Sequence, residues 1–218
     1  MKTAKIYLED ASLIPVLSIM EKWYTRANTK LFGGELPPCT ITIQRDNKTG
    51  HNTHGWMSCA EVWHKGDQTF NELNMTAHSL SRPIEESITT LIHEMCHRYA
   101  LLKGEQDTSR NGKYHNNTFK AIAESHGLEC PEKDPKIGWS HTVPTDELIE
   151  WINSFDHRKD DEELKIYRDR DMSVKKTSKK TTYKYICPKC GAIVRSTKEV
   201  NLMCADCMEL FELAESRD

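Results

Sequence analysis

Two histidines four residues apart, His93 and His97, with Glu94 directly after the first, form a His-Glu-x-x-His pattern. On a helix this spacing sets two imidazoles one turn apart, where both can bind one zinc ion. The carboxylate then stands beside the coordination position left open. At 100° per residue, His97 lies about 40° round from His93 and Glu94 about 100° round, so all three project to one side. The chemistry this suits is hydrolysis. The metal polarises a carbonyl and lowers the pKa of a water, and Glu94 as general base takes that water's proton.

A catalytic zinc takes a third protein ligand. The downstream candidates are His115, His126 and His141, with Asp107 and Glu124 behind them. Position favours His115, which follows a loop long enough to fold back and precedes a helix that could fix it. His126 stands at the far end of that helix, beside the Gly127 stop, where a histidine can serve as a cap. Tyr114, next to His115, is a candidate for stabilising the oxyanion.

The elements that must carry these residues can be read from periodicity. Ile84, Ile88, Leu91, Met95 and Leu102 fall at roughly 160° to 220° on the wheel of His93, so the motif helix has a buried stripe opposite its ligands. Pro83, Glu85 and Glu86 open it and Gly104 closes it. An earlier helix spans residues 11–30 and stops at Gly33-Gly34. Strands follow at 39–44, 55–65 (imperfectly alternating, with room for a bulge) and 71–77. Trp56 and Trp63 read as core or cleft wall. Further helices cover 116–126, with Asn116 or Asn117 as its cap, and 144–157. The fold class expected is α+β: a small mixed or antiparallel three-stranded sheet packed on helices.

Cys187, Cys190, Cys204 and Cys207 form two Cys-x-x-Cys pairs, and in a reducing compartment these argue for zinc. Four thiolates complete a tetrahedron, so this zinc ribbon is structural and closed to substrate. The expected zinc content is therefore two ions, one catalytic and one structural. The domains read as 1–157 (catalytic), 158–182 (a charged, Lys-rich linker) and 183–218 (ribbon).

The net charge of −3 conceals an asymmetry. Residues 165–198 hold eleven Lys and Arg against two acids, a net of +9, which leaves −12 elsewhere and −7 over residues 1–164. A stretch so basic suits a polyanion. Lys175, Lys176, Lys179, Lys180, Lys184, Lys189, Arg195 and Lys198, with Tyr183 and Tyr185, offer cations and stackable rings to a nucleic acid backbone. No segment approaches the ~18–20 apolar residues of a membrane span. The N-terminus leads into no long apolar run, so a cytoplasmic, nucleoid or nuclear place is expected, without secretion or a membrane partner.

Three segments together resemble the SprT-like (Spartan-type) metalloproteases: Leu31-Phe32-Gly33-Gly34-Glu35-Leu36-Pro37-Pro38, His93-Glu94-Met95-Cys96-His97-Arg98-Tyr99 and His115-Asn116-Asn117-Thr118-Phe119. The resemblance covers about residues 11–130 and, at the far end, a ribbon like that of many members. It implies that His93, His97 and His115 are ligands and Glu94 the base. It also implies cleavage of proteins bound to or crosslinked on DNA, with DNA held by the basic tail and ribbon; separately, a monomer is expected. Asn116-Asn117 stands where the family tends to have Gly-Pro, and the loop from His97 to His115 is somewhat long. The competing reading is a non-catalytic, zinc-containing nucleic-acid-binding protein acting near transcription or DNA repair.

Overall fold

The computed structural model describes residues 12–45, 53–168 and 183–214. The chain divides into two compact units, Met1–Arg170 and Asp171–Asp218.

In the first unit, α1 (Ile14–Leu31) has Pro15 in its opening turn and buries Val16, Met20, Trp23 and Ala27, the three-and-four spacing of an amphipathic helix. Gly33 and Gly34, both at positive φ, turn the chain back. Asn28 clamps that turn. Its side chain donates to the Leu36 carbonyl (3.0 Å) and accepts from the Leu36 amide (3.1 Å). The sheet then forms from β1 (Thr40–Gln44), β2 (Gly55–Met57) and, after an excursion, β5 (Glu72–Thr76). β5 is central and buried throughout, parallel to β1 and antiparallel to β2, so the sheet is mixed. Leu73 and Met75 enter the core, while Glu72 on the opposite face is satisfied by Thr42 (2.6 Å) and Gln44 of β1.

The excursion corrects the reading of residues 55–65 as one strand. β2 ends at Met57; the next residue, Ser58, still donates its amide to the Glu72 carbonyl (2.8 Å), but its hydroxyl accepts from the Glu72 amide (2.7 Å) where a ladder carbonyl would. The chain leaves the sheet and returns as a separate hairpin of β3 (Trp63–Lys65) and β4 (Gln68–Phe70), turned at Gly66 with φ +60°. Trp63 on that hairpin is exposed, not core, whereas Trp56 is half-buried.

The motif helix α2 (Ile84–Lys103) packs against α1 and the sheet, burying Ile84, Ile88, Leu91 and Met95. It ends at Gly104 in the left-handed conformation. Leu102 departs from the expected stripe: the last turn runs beyond the core and leaves it exposed. Two short strands, β6 (Thr108–Ser109) and β7 (Tyr114–His115), then lead into α3 (Asn117–Ser125). β8 (Leu128–Glu129) pairs with β9 (Val143–Pro144), and α4 (Asp146–Asn153) follows, capped by Thr145.

The first unit does not end at 157. Residues 158–163 form α5 (Arg158–Glu163), and this part of the presumed linker is anchored. Asp160 is buried, accepting from Trp23 Nε1 (3.1 Å) and Lys22 Nζ (2.5 Å), Leu164 is buried, and the Arg168 amide donates to the Ala77 carbonyl (3.0 Å). The charge of the segment concealed the few side chains that dock it. Lys175, Lys176, Lys179 and Lys180 lie outside the described residues.

The second unit comprises β10 (Tyr183–Ile186), β11 (Ile193–Ser196), β12 (Met203–Cys204), β13 (Glu209–Leu210) and β14 (Glu212–Leu213). β10 pairs with both β11 and β14, and β12 pairs with β13. No helix among the described residues is long and apolar enough to cross a membrane.

Candidate metal centres

Each catalytic candidate is set by a different device. His93 and His97 lie one turn apart on α2, and His115 arrives on β7 from the opposite side. Asn116 then starts α3, its side chain accepting from the Thr118 (2.8 Å) and Phe119 (3.1 Å) amides. That cap directs Phe119 under the cluster. Its ring centroid is 4.6 Å from His93, 4.7 Å from His97 and 4.6 Å from His115, an apolar floor shared by all three.

The three Nε2 atoms converge, with His115 at 3.2 Å from His93 and 3.1 Å from His97. Nitrogens bound at zinc distance to one tetrahedral ion stand about 3.3 Å apart. The outer nitrogens fit the same role. With protons on Nδ1, His93 donates to Thr142 Oγ1 (3.0 Å) and His97 to Asp107 (2.5 Å), leaving Nε2 lone pairs aimed at one another. A cation resolves that repulsion, so the residues present fit zinc.

Electrostatics divide the trio. Burial, with His97 and His115 beside it, holds His93 well below the usual histidine range, and burial with His97 brings His115 to about 4. For His97, burial is outweighed by the hydrogen bond and charge of Asp107 together with Glu94, and its pKa is raised. Glu94 is buried, and burial pushes its carboxyl up to about 7 against the opposing pull of His97. It fits because residue 55 is glycine. A Cβ there would stand 3.0 Å from both Glu94 Oε1 and the Asn74 carbonyl oxygen.

The other ligand candidates separate clearly. Asp107 orients His97, Glu124 pairs with Lys120 on the surface (3.5 Å), and His141 is exposed. The Tyr114 ring is covered by Arg110 (4.4 Å). His126 stacks on Phe32 (4.2 Å between centroids) and against Tyr99 (4.7 Å), donating Nδ1–H to the Ile122 carbonyl (2.6 Å). It is a packing residue, and it explains the Phe32 of the Phe-Gly-Gly segment. Burial lowers its pKa, so the folded chain keeps it neutral while the unfolded chain protonates near the ordinary 6.5. Above about pH 6.5 it adds no pH dependence; below, the unfolded state binds the extra proton and stability falls. In His126→Phe that loss is absent. The stability gap between wild type and variant, measured by denaturant unfolding between about pH 8 and 5, shifts in favour of the variant on acidification.

Sequence reasoning missed Thr142, Gly55 and Asp107's actual task. No local pattern marks them: Thr142 and Gly55 act on residues far along the chain, and Asp107 meets His97 only once the loop after α2 folds back.

In the second unit, the Cys187, Cys190, Cys204 and Cys207 sulfurs lie within 4.8 Å of one another, and Cys190 and Cys204 are 3.8 Å apart. Four sulfurs around one zinc stand about 3.8 Å apart. The two knuckles repeat one turn. Gly191 (φ +73°) donates its amide to the Cys187 carbonyl (2.9 Å), and Met208 (φ +57°) donates to the Cys204 carbonyl (2.8 Å). Amides of Cys190 and Lys189 bring the Cys187 thiol down to about 7, nearer the thiolate that a metal binds. Of the basic candidates, Lys184 and Arg195 are direct cross-strand partners on β10 and β11, and Lys189 and Lys198 are exposed.

Three imidazoles on a sheet-backed helix and the strand after it, with a buried carboxylate one residue from the first, define a zinc-metallopeptidase type of site on an α+β fold. The SprT-like family model matches residues 20–136, more than half of the chain, and the chain belongs to that family. No curated protein and no solved structure gives a significant match.

Proposed function

We propose that this chain is a zinc-dependent endopeptidase that cleaves proteins bound to or crosslinked on DNA. The observation that carries the reading is the convergence of three imidazole nitrogens beside the buried Glu94 carboxylate. His93, His97 and His115 would hold the zinc, with Asp107 and Thr142 fixing the tautomers of the first two. When bound, the ion supplies Lewis-acid polarisation of the scissile carbonyl and acidifies a water. Glu94 accepts that water's proton and returns it to the leaving amine.

DNA is the partner suggested by charge. The net of +9 over residues 165–198 contrasts with −7 over residues 1–164, so the acidic catalytic unit repels a phosphate backbone and the basic stretch attracts one. Lys184, Lys189, Arg195 and Lys198 present that charge on the ribbon, and Lys175, Lys176, Lys179 and Lys180 extend it. The protein then acts as a monomer in the compartment that holds DNA.

The test combines metal counting with cleavage. Wild type should carry two zinc ions per chain and cut a DNA-bound protein. His97→Ala should carry one and cut nothing. A wild type that holds both ions yet leaves every DNA-bound protein intact overturns the reading.

A further inference from the structure

The three imidazoles are held in different ways. Nδ1 of His93 has Thr142 and Nδ1 of His97 has Asp107, whereas Nδ1 of His115 is buried and has no hydrogen-bond partner among the described residues. Packing on Phe119 limits the His115 ring but supplies no directional bond. Its direction must come from the backbone.

That backbone is clamped. The His115 amide donates to the Ile137 carbonyl (3.0 Å), and the Trp139 amide donates to the His115 carbonyl (3.0 Å). Gly138 lies between these bonds at φ +68°, and a Cβ there would stand 2.0 Å from the His115 carbonyl oxygen. Only glycine permits that approach. The loop carrying it is braced from within: Asp134 Oδ1 accepts from the amides of Lys136 (2.6 Å) and Ile137 (3.0 Å), and Asp134 and Gly138 exchange two backbone bonds of 2.9 Å. Trp139 Nε1 donates to Asn117 Oδ1 (3.0 Å), tying the loop to the start of α3. Three residues later the same segment delivers Thr142 to His93. Residues 137–142 lie beyond the family match, which ends at 136.

We propose that residues 134–142 are the positioning element of the histidine metal centre, fixing His115 through its backbone and His93 through Thr142, with Gly138 as the residue on which the clamp depends. This rests on reading the three histidines as ligands. Two of three ligands then hang on one loop, so loosening it separates the nitrogens and weakens the metal. Outer partners of this kind are typically worth about 10–100-fold in affinity.

The experiment titrates Zn2+ into the full chain against a competing chelator, with the four-cysteine site as internal reference. Thr142→Val removes the acceptor while keeping the side chain's volume. Zinc at the histidines should bind about 10–100-fold more weakly, the ribbon site should be unchanged, and Thr142→Ser should restore affinity. Gly138→Ala should lose at least as much; if it does not fold, the Thr142 pair decides. Wild-type affinity in Thr142→Val, or a loss that Thr142→Ser fails to repair, overturns the proposal. Weakened zinc in the variants alongside a wild type that cuts nothing leaves the clamp standing and removes the peptidase. Active wild type with unchanged affinity in the variants does the reverse.

Discussion

Glu94→Gln keeps zinc at the three histidines and lowers cleavage of a DNA-bound protein by about 10²–10⁴-fold, the contribution a positioned general base makes. The substitution is nearly isosteric, which matters where the Glu94 side chain packs so closely on Gly55 that a Cβ at 55 would stand 3.0 Å from its Oε1. Glu94 is not among the converging nitrogens, so metal content and melting temperature should stay near wild type. The loss belongs to proton transfer. Burial brings the Glu94 carboxyl up to about 7, above the range of an exposed glutamate and against the pull of His97. An amide at the same position can still touch a water but cannot take its proton. The same variant separates the enzyme from a non-catalytic, nucleic-acid-binding zinc protein, for which Glu94 is only a buried side chain. Equal cleavage by variant and wild type would sink the peptidase reading.

Much of this centre was legible because its signals are local. The spacing of His93 and His97 is a property of one helix, and the burial of Ile84, Ile88, Leu91 and Met95 follows the same periodicity. His115 was favoured over His126 by its place between a loop and a capped helix, and Asn116 is that cap. The two cysteine pairs announced their site by spacing alone. What stayed hidden is long-range. Thr142 reaches His93 across 49 positions, and Gly138 meets His115 only once the loop has folded back. Trp63 looked like core because a large ring usually is, but Ser58 ends the strand before it and the hairpin carries it outward. Residues 158–168 were obscured by their own charge. A buried carboxylate, a buried leucine and one backbone hydrogen bond dock them, and composition averages over such anchors.

Removing zinc from the ribbon unfolds residues 183–214 and leaves the first unit's melting unchanged. The ribbon has almost no core: among its described residues only Tyr185, Cys187 and Cys204 are buried, while Ile193, Met203, Met208, Leu210 and Leu213 are exposed. Area burial of that size cannot offset the ordering entropy of its chain. Structural zinc supplies about 10–16 kcal/mol in comparable small modules, so here metal binding and folding are one event. The Met208 turn adds to this dependence, since a non-glycine residue is held at φ +57° directly after the last ligand candidate, Cys207. Cys204→Ser, which removes a buried ligand, should abolish amide protection across β10–β14 in hydrogen exchange, while the core around Trp23 and Leu91 exchanges as before. Protection that survives the substitution would mean something other than zinc holds the module. The consequence for binding follows from register. Lys184 and Arg195 face each other only while β10 pairs with β11. If the ribbon is a DNA-binding element, its unfolding should weaken DNA binding at fixed salt and reduce the salt slope. An unchanged slope would assign the phosphate contacts to cations outside the ribbon.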